Sequence, residues 1–299
     1  MTSSKSTPHS LRETKKSKLL QQHRRREKHS GGDFFKNITD SNIDNGKAFD
    51  WGRISQDYAK YRDIYPEEFY RRITDRGLCV SGQSALDIGT GTGVIPRNML
   101  RFGAKWTGVD ISPEQIEQAK LLSQGTDIEY FASPAEKLSF MDNSFDVITA
   151  CQCFWYFDHE NLIPKFMSML KSSGSLVVLY MAWLPFEDKI AGMSEELVLK
   201  YNPDWSGKGE TMHPIHIPEC YDAYFDKVYS EEYPLDVHFT RESWNGRMKA
   251  CRGIGASLSE EKINSWEKEH LKLLETNAPP EFDIHHYGAI VQLRLKDKG

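Results

Sequence analysis

Asp87-Ile88-Gly89-Thr90-Gly91-Thr92-Gly93 lies between two segments of opposite character. Before it, Ser84-Ala85-Leu86-Asp87-Ile88 is short and mostly apolar, as a buried strand is. After it, about Val94 to Phe102 reads as a helix. Glycines at such a junction take positive φ at little cost and let the backbone approach a ligand. The helix N-terminus beyond offers free N–H groups to a carboxylate or phosphate. A glycine loop also serves dinucleotide enzymes, so the loop alone is weak evidence. Two details bear on the choice. The spacing is Gly-x-Gly-x-Gly, not Gly-x-Gly-x-x-Gly. Asp87 stands directly before the loop, where it would repel a pyrophosphate and attract an ammonium group. Asp110, closing the next apolar segment, is placed to accept both hydroxyls of a ribose, a feature common to both ligand classes.

Working outward, Trp106–Asp110 reads as a second strand. Ser112-Pro113-Glu114 starts a helix, with Ser as N-cap, Pro first and an acid in the first turn; it runs to about Ser123. Ile128–Phe131 and Phe145–Ala150 are further strands. A helix covers about Leu162–Leu170, Lys171–Gly174 is a turn, and Ser175–Met181 is the fifth strand. Upstream, Pro66 begins a helix over Glu67 to Arg76. Strands alternating with helices imply a parallel sheet covered on both faces, with right-handed crossovers. After Met181 the rhythm breaks. Residues 182–220, with Trp183, Trp205 and several prolines, read as an insertion over the ligand edge of the sheet. Tyr224–Thr240 suggests a strand, Arg241–Cys251 and Ser259–Glu275 helices, and Tyr287–Leu295 the last strand.

The chain has 299 residues, 39% hydrophobic and 27% charged, as expected of a soluble globular protein. Residues 1–32 are rich in Ser, Lys, Arg, Gln and His and are expected to be a disordered basic tail. Arg24-Arg25-Arg26 within it reads as a solvated patch, or as a polyanion or nuclear-localisation signal. Order is expected to begin near Phe34 or Phe49. Nine basic residues stand against two acidic ones in positions 1–30, so the rest of a chain of net charge −5 is strongly acidic. That counts against a nucleic-acid groove across the body. No apolar run approaches the roughly 18 residues of a membrane helix, and no secretory h-region opens the chain. With Cys79, Cys151, Cys153, Cys220 and Cys251 an odd set, reduced thiols in a cytoplasmic protein are the simplest reading.

Residues 49–181 resemble class I S-adenosylmethionine (SAM)-dependent methyltransferases, in particular the small-molecule group called methyltransferase type 11. Asp87-Ile-Gly-Thr-Gly-Thr-Gly93 is similar to the family's glycine motif and Gly108-Val-Asp110-Ile-Ser-Pro113 to its second motif. Ser133-Pro-Ala-Glu136-Lys-Leu-Ser-Phe140, followed by Asn143-Ser-Phe-Asp146-Val147, is similar to its third and fourth regions. The resemblance implies an α/β, Rossmann-like, doubly wound and mostly parallel seven-stranded sheet, the last strand antiparallel, with an insertion after the fifth. The domain would span 33–299, with 49–181 as core and 182–299 as the acceptor side. It implies that Gly89, Thr90, Gly91 and Gly93 line the methionine and ribose portions of SAM, and that Asp87 helps hold the amino group. Asp110 would take the ribose diol, Ile111 pack on adenine, Ala135 and Glu136 lie at the adenine edge, and Cys151 and Gln152 face the methionyl end. Pro134 stands where the family often has an Asp beside the adenine amine. Tyr58-Ala-Lys-Tyr61-Arg62-Asp-Ile-Tyr65-Pro66 resembles the family's leading helix, so Tyr58, Tyr61, Arg62 and Tyr65 are candidates for the SAM carboxylate or the acceptor, or for helix packing.

Methyl transfer from a sulfonium is an in-line displacement whose leaving group is already activated, so the protein mainly orients and excludes water. No conspicuous catalytic residue is visible, in keeping with that chemistry. Trp155, Tyr156 and Phe157, after the fourth strand, stand where α/β sheets bind ligands and could wall a planar or cationic acceptor. Their alternative is helix packing. His213 and His216 in the insertion are candidate bases, with His285 and His286 behind them. Arg241, Trp244 and Arg247 could line the acceptor pocket or pack a helix. Cys151, Cys153 and His159 invite a metal, but no second Cys pair completes a site, and none is expected. The leading function is methyl transfer to a small molecule. A protein or RNA acceptor, a SAM-binding protein without catalysis, and a nicotinamide-dependent oxidoreductase are the alternatives.

Overall fold

Period-two alternation along the strands builds two cores on one sheet. The computed structural model describes residues 43–296. The basic tail, Arg24-Arg25-Arg26 and the neighbourhood of Phe34 lie outside them. The strands are β1 (Ser84–Ile88), β2 (Lys105–Asp110), β3 (Glu129–Ala132), β4 (Phe145–Cys151), β5 (Leu170–Trp183), β6 (Phe225–Thr240) and β7 (Glu281–Leu295). They form a seven-stranded sheet in the order β3-β2-β1-β4-β5-β7-β6. β7 alone is reversed, antiparallel to both β5 and β6. Ala85, Val147, Val177 and Leu179 point into one core. Their neighbours Leu86, Ile148, Leu176 and Val178 point into the other. A strand buried on both faces does not alternate apolar with polar, so β1 and β4 read as mostly apolar, with the buried Asp87 and Thr149 hydrogen-bonded to each other. This is the α/β, Rossmann-like, doubly wound arrangement expected from the sequence.

The helices are α1 (Ser55–Tyr61), α2 (Glu67–Thr74), α3 (Val94–Met99), α4 (Pro113–Leu122), α5 (His159–Met169), α6 (Lys189–Tyr201), α7 (Arg241–Lys249) and α8 (Glu260–Asn277). Phe69, Ile73, Ile95 and Met99 of α2 and α3 enter the first core. Leu162, Ile163 and Phe166 of α5 enter the second. The Ser112 hydroxyl accepts from the Gln115 N–H and caps α4, as the Ser-Pro-Glu signature predicts.

Three features depart from the expectation. The turn expected at Lys171–Gly174 is instead a bulge in β5, since the register jumps from Phe145↔Leu170 to Val147↔Ser175. β7 begins at Glu281, before the expected Tyr287. Its added segment pairs Phe282 with Phe239 and Ile284 with Val237, all buried, while Glu281, Asp283 and His285 face out. Within the expected insertion after the fifth strand, β5 continues past Met181 to Trp183 and a helix not expected from the sequence, α6, follows. Its buried face includes Ala191, Ser194 and Glu195 beside Leu197 and Val198, so small and polar residues mask the helical period. Asp188 caps it, accepting from the Ile190 and Ala191 N–H groups at 2.9 Å, and its other oxygen accepts from the His285 N–H at 3.0 Å. One carboxylate thereby ties α6 to β7.

The overhang of β6 and β7 beyond β5 carries α6, α7 and α8 to the carboxyl edge of the parallel strands. Their packing is partly polar. The Trp244 Nε1–H donates to Ser194 Oγ at 3.0 Å, and His270 bridges Ser194 and Asn245 at 3.0 and 2.8 Å. Burial lowers the pKa of His270 to about 3. It does the same to His286, where the positive charge of Arg247 adds to it. Both imidazoles are neutral in the folded chain below the pH, near 6.5, at which they take up a proton when unfolded. Their contribution to stability is whole above about pH 6.5 and lost as pH falls toward 3, with a slope of about 1.4 kcal/mol per pH unit each. Asp87, raised to about 7, acts in the opposite sense over part of that window. The difference between His270→Asn and wild type isolates the histidine. In urea unfolding from pH 7 to 5, the variant should lose about 2 kcal/mol less in all, the difference approaching about 1.4 kcal/mol per unit only below about pH 6.5; parallel curves would show that His270 titrates alike in the folded and unfolded chain.

Candidate active site at the carboxyl edge

The loop after β1 turns back onto β2 through two backbone hydrogen bonds. The Thr90 N–H donates to the Val109 carbonyl at 2.9 Å, and the Gly91 N–H donates to Asp110 Oδ2 at 2.9 Å. Gly89, Gly91 and Gly93 all have positive φ, at 65°, 55° and 76°. At Gly93 a β-carbon would strike the Tyr130 phenol, which sits beneath the loop and is bonded to Ser123 Oγ at 3.0 Å. At Gly89 it would come within 2.6 Å of Cys153 Sγ. The loop is therefore packed from below by Tyr130 and Cys153. The Cys153 thiol donates to the Ile88 carbonyl at 3.1 Å.

Two carboxyl groups flank this loop. Asp87 is buried and accepts from Thr149 Oγ1 at 2.6 Å. Burial raises its pKa to about 7, against the hydrogen bonds that favour the charged form. Asp110 is half-buried and accepts a second bond, from the Ser112 N–H to Oδ1 at 2.9 Å. Its pKa is raised by burial and held back by the Ser112, Gly91 and Ile111 N–H groups. Each oxygen keeps a further lone pair for a donor. Ile111 is half-buried beside it.

The end of β4 completes the edge. Gln152 has φ 63°, an uncommon conformation for a residue other than glycine. Its side-chain amide donates to the Met181 carbonyl, which turns the chain across β5. The Cys151 thiol donates to the Tyr65 hydroxyl at 3.4 Å, and burial pushes that thiol up to about 12. Cys151 and Cys153 thus have separate partners, and His159 bonds Tyr221 at 3.1 Å. Among the described residues no group of three His, Cys, Asp or Glu side chains could hold a metal.

Other candidates divide. Tyr58 approaches the loop, 3.5 Å from where a Gly91 β-carbon would lie, with the Arg62 guanidinium 4.6 Å from its ring centre. Tyr65 stacks on Phe69 at 4.5 Å with its hydroxyl toward Cys151. Trp155 is exposed at the rim, edge-on to Tyr180 at 5.3 Å. Phe157 packs against the second core. His213 is also on the rim, joined to Glu210 at 2.7 Å, and Glu210 accepts from Tyr180 and Tyr287. Ala135 is buried.

Most of the remaining candidates have structural partners, and His216 lies in a separate cleft. Tyr61 lies on Gly246 and donates to Glu242 Oε1 at 3.2 Å, so it packs α1 onto α7. Glu136 accepts from the Asp158 N–H at 3.0 Å and so fixes the start of α5. Tyr156 accepts from Arg252, itself paired with buried Asp44 at 2.8 Å. Arg241 donates to the Ala278 carbonyl. Trp244 is fully buried. His216 lines a separate surface cleft of about 480 Å³ with Pro214, Ile217, Tyr221 and Lys227. His285 is exposed and paired with Asp236 at 2.6 Å. Arg247, which the sequence leaves undecided between pocket and packing, is buried at this edge. A basic residue in a helix normally reads as solvated, which is why its burial is not visible in the sequence.

With that geometry the chain is similar to known methyltransferases. Residues 86–178 match the family model described as a methyltransferase domain. A Dictyostelium discoideum protein provisionally named a methyltransferase is 30% identical over 128 residues, 43% of this chain and 47% of its own length. A ubiquinone biosynthesis O-methyltransferase of Pseudomonas entomophila is 27% identical over 174 residues, 54% of this chain and 74% of its own. The chain thus spans about half the length of the first of these and about three quarters of the second. A solved structure from Anaeromyxobacter dehalogenans, provisionally described as a type II methyltransferase, superposes with TM-score 0.51 at 16% identity, covering 78% of this chain and 97% of its own. That likeness concerns the fold.

The packing beneath the loop is testable. Gly93→Ala should destabilise the chain by about 2–4 kcal/mol, from a strained φ and a clash with Tyr130. Gly125→Ala is the control, because its φ is 84° and nothing lies within 4 Å of the added carbon. It should cost only about 1–2 kcal/mol. Equal losses in urea unfolding would remove Tyr130 as the reason for glycine at 93.

Proposed function

We propose that this chain, a member of the class I SAM-dependent methyltransferases, transfers a methyl group to a small-molecule acceptor by in-line displacement. The cofactor of that class is S-adenosyl-L-methionine, which supplies a methyl group on an activated sulfonium. One observation carries the reading. Asp110 is aligned by the Gly91 and Ser112 N–H groups, beside three glycines whose backbone carries no β-carbon, with buried Asp87 one strand away. This donor set fits the cofactor: a carboxylate for a diol, an open backbone for the chain linking ribose to sulfur, and a buried acid for an ammonium. It fits a pyrophosphate poorly, because Asp87 would repel it. The ubiquinone-pathway relative supports a small acceptor.

In this reading Asp110 holds the ribose hydroxyls, Gly89, Thr90, Gly91 and Gly93 line the ribose and methionine portions, and Asp87 takes the amino group. Ile111 and Ala135 form the adenine side. Tyr58, Arg62 and Tyr65 from the leading segment, with Cys151 and Gln152, close the methionyl end. Trp155, with Tyr180 and His213, forms the outer wall where an acceptor enters. Positioning and exclusion of water supply most of the acceleration in such a displacement. Among the rim groups His213, joined to Glu210, is placed to receive a proton if the acceptor gives one up.

Calorimetric titration with SAM, S-adenosylhomocysteine and NAD(H) tests the reading. The two sulfur nucleosides should bind, NAD(H) should not, and Asp110→Ala should weaken binding by about tenfold or more. No binding of either sulfur nucleoside, or a preference for NAD(H), would overturn it. Asp87 adds a pH signature. With its pKa raised to about 7, it is largely protonated at pH 6 and ionised at pH 8. Affinity for S-adenosylhomocysteine should rise about tenfold over that interval and be flat in Asp87→Asn. A flat wild-type profile would remove Asp87 from the amino-group site.

A further inference from the structure

Arg247 on α7 is 5% exposed, and its Nε and Nη1 make no hydrogen bond among the described residues. Its guanidinium carbon lies 5.0 Å from the ring centre of Trp183, the last residue of β5. A cation–π contact offsets only part of the cost of burying a charge. Arg62 is near it, at the end of α1, where Tyr61 lies on Gly246 and brings the two helix backbones together. The two arginines follow those contact residues directly in sequence. Among the groups that act on Arg247 electrostatically are Arg62, the Cys251 thiol and the phenols of Tyr58 and Tyr65, and His286 and Tyr180 also lie in its field; none of these is a carboxylate. Burial first, and Arg62 second, lower its pKa to about 9, which leaves it charged at neutral pH. Glu195 stands on the indole nitrogen of Trp183, at 2.9 Å, and also accepts from Gly209. Other arginines of this region are paired. Arg252 has Asp44 and Arg241 has the Ala278 carbonyl.

Two neighbouring guanidinium groups, Arg247 buried and Arg62 half-buried, neither in an ion pair among the described residues, form a receptor for an anion. Their placement separates them. Arg62 leans on Tyr58 and so toward the glycine loop, whereas Arg247 lies over the end of β5, beyond β4 in the sheet. That is the acceptor side of the edge. Tyr65, bonded to Cys151 at the end of β4, stands with them.

We propose that Arg247 binds a carboxylate of the methyl acceptor, with Arg62 left to the methionyl end of the cofactor, so that the acceptor is a small organic acid. This rests on the methyltransferase reading above. A planar carboxylate accepts two parallel N–H bonds from one guanidinium, which would fix the acceptor in register with the donor methyl. The carboxylate of the cofactor's own methionine has the same chemistry, and the test separates the two.

The full chain, saturated with S-adenosylhomocysteine, is titrated by calorimetry with benzoate, succinate and acetate and with the matching amides. At least one acid should bind about tenfold or more tightly than its amide. Arg247→Gln should abolish that preference while S-adenosylhomocysteine affinity stays within about threefold of wild type, and Arg247→Lys should keep part of it. Acids that bind no better than amides to the loaded wild-type chain overturn the proposal, whatever the variants do. A variant that weakens S-adenosylhomocysteine about tenfold and leaves acid binding intact also overturns it, assigning the guanidinium to the cofactor's carboxylate. Failure of S-adenosylhomocysteine to bind wild type is a different result, and sinks the parent reading together with this one. Should Arg247→Gln not fold, the acid-against-amide comparison on wild type and Arg247→Lys still decides.

Discussion

The hydrogen bond from the Gly91 N–H to the Asp110 carboxylate closes the loop of β1 onto the end of β2. Everything at the carboxyl edge is built on that closure. It needs left-handed backbone at three glycines, because a β-carbon at 89 or 93 has no room above Cys153 or Tyr130. It also orients a carboxylate whose other oxygen is held by the Ser112 N–H, at the cap of the next helix. A strand end, a turn and a helix start are thereby locked by one side chain. The parallel register, Asp87 opposite Gly108 and Ile88 opposite Val109, places the two acids on adjacent strands.

The edge also concentrates groups that folding disfavours. Asp87 is buried with its charged form destabilised, Gln152 has a left-handed backbone, and Arg247 is buried with unpartnered nitrogens. Strain and poorly compensated charge cluster where a ligand can repay them. By contrast, four polar side chains between α6, α7 and α8 are matched, although the buried Trp266 Nε1–H beside them has no partner among the described residues. Ser194, Trp244, His270 and Asn245 satisfy one another, and Asp188 serves α6 and β7 together. The same elements thus hold a satisfied network on their inner side and an unsatisfied arginine at the edge.

The long β6–β7 pair explains how helices of this chain come to cover the carboxyl edge of a common sheet. Beyond the last pairing with β5, at Trp183 and His286, the two strands continue to Thr240 and Glu281. Thr240 then starts α7 with a capping box, so the helix begins at the edge it covers. α1 packs against it through Tyr61 and Gly246. The leading segment and the chain after β6 therefore meet over the site from opposite ends of the sequence.

The sequence by itself determined β1 to β4, the glycine loop, the Ser112 cap and the placing of Asp87 and Asp110 at the ends of adjacent strands. These follow from local rules: apolar runs of strand length, glycine where φ is positive, and Ser-Pro-Glu at a helix start. The structure alone decided the extent of β5, the presence of α6, and the fate of the polar candidates. A bulge and a helix whose inner face holds Ser194 and Glu195 lack the composition that marks an element locally, whereas Glu281–His285 alternates in period two and is a strand signal that the sequence does carry. Tyr61, Glu136, Tyr156 and Arg241 have side chains suited to a site, yet each finds a partner distant in sequence or across a turn, at Gly246, Asp158, Arg252 and Ala278. Arg247 is the converse, an ordinary helix cation made unusual by its neighbours. Whether a polar side chain meets a partner or a ligand depends on contacts between remote segments, and no local pattern encodes those.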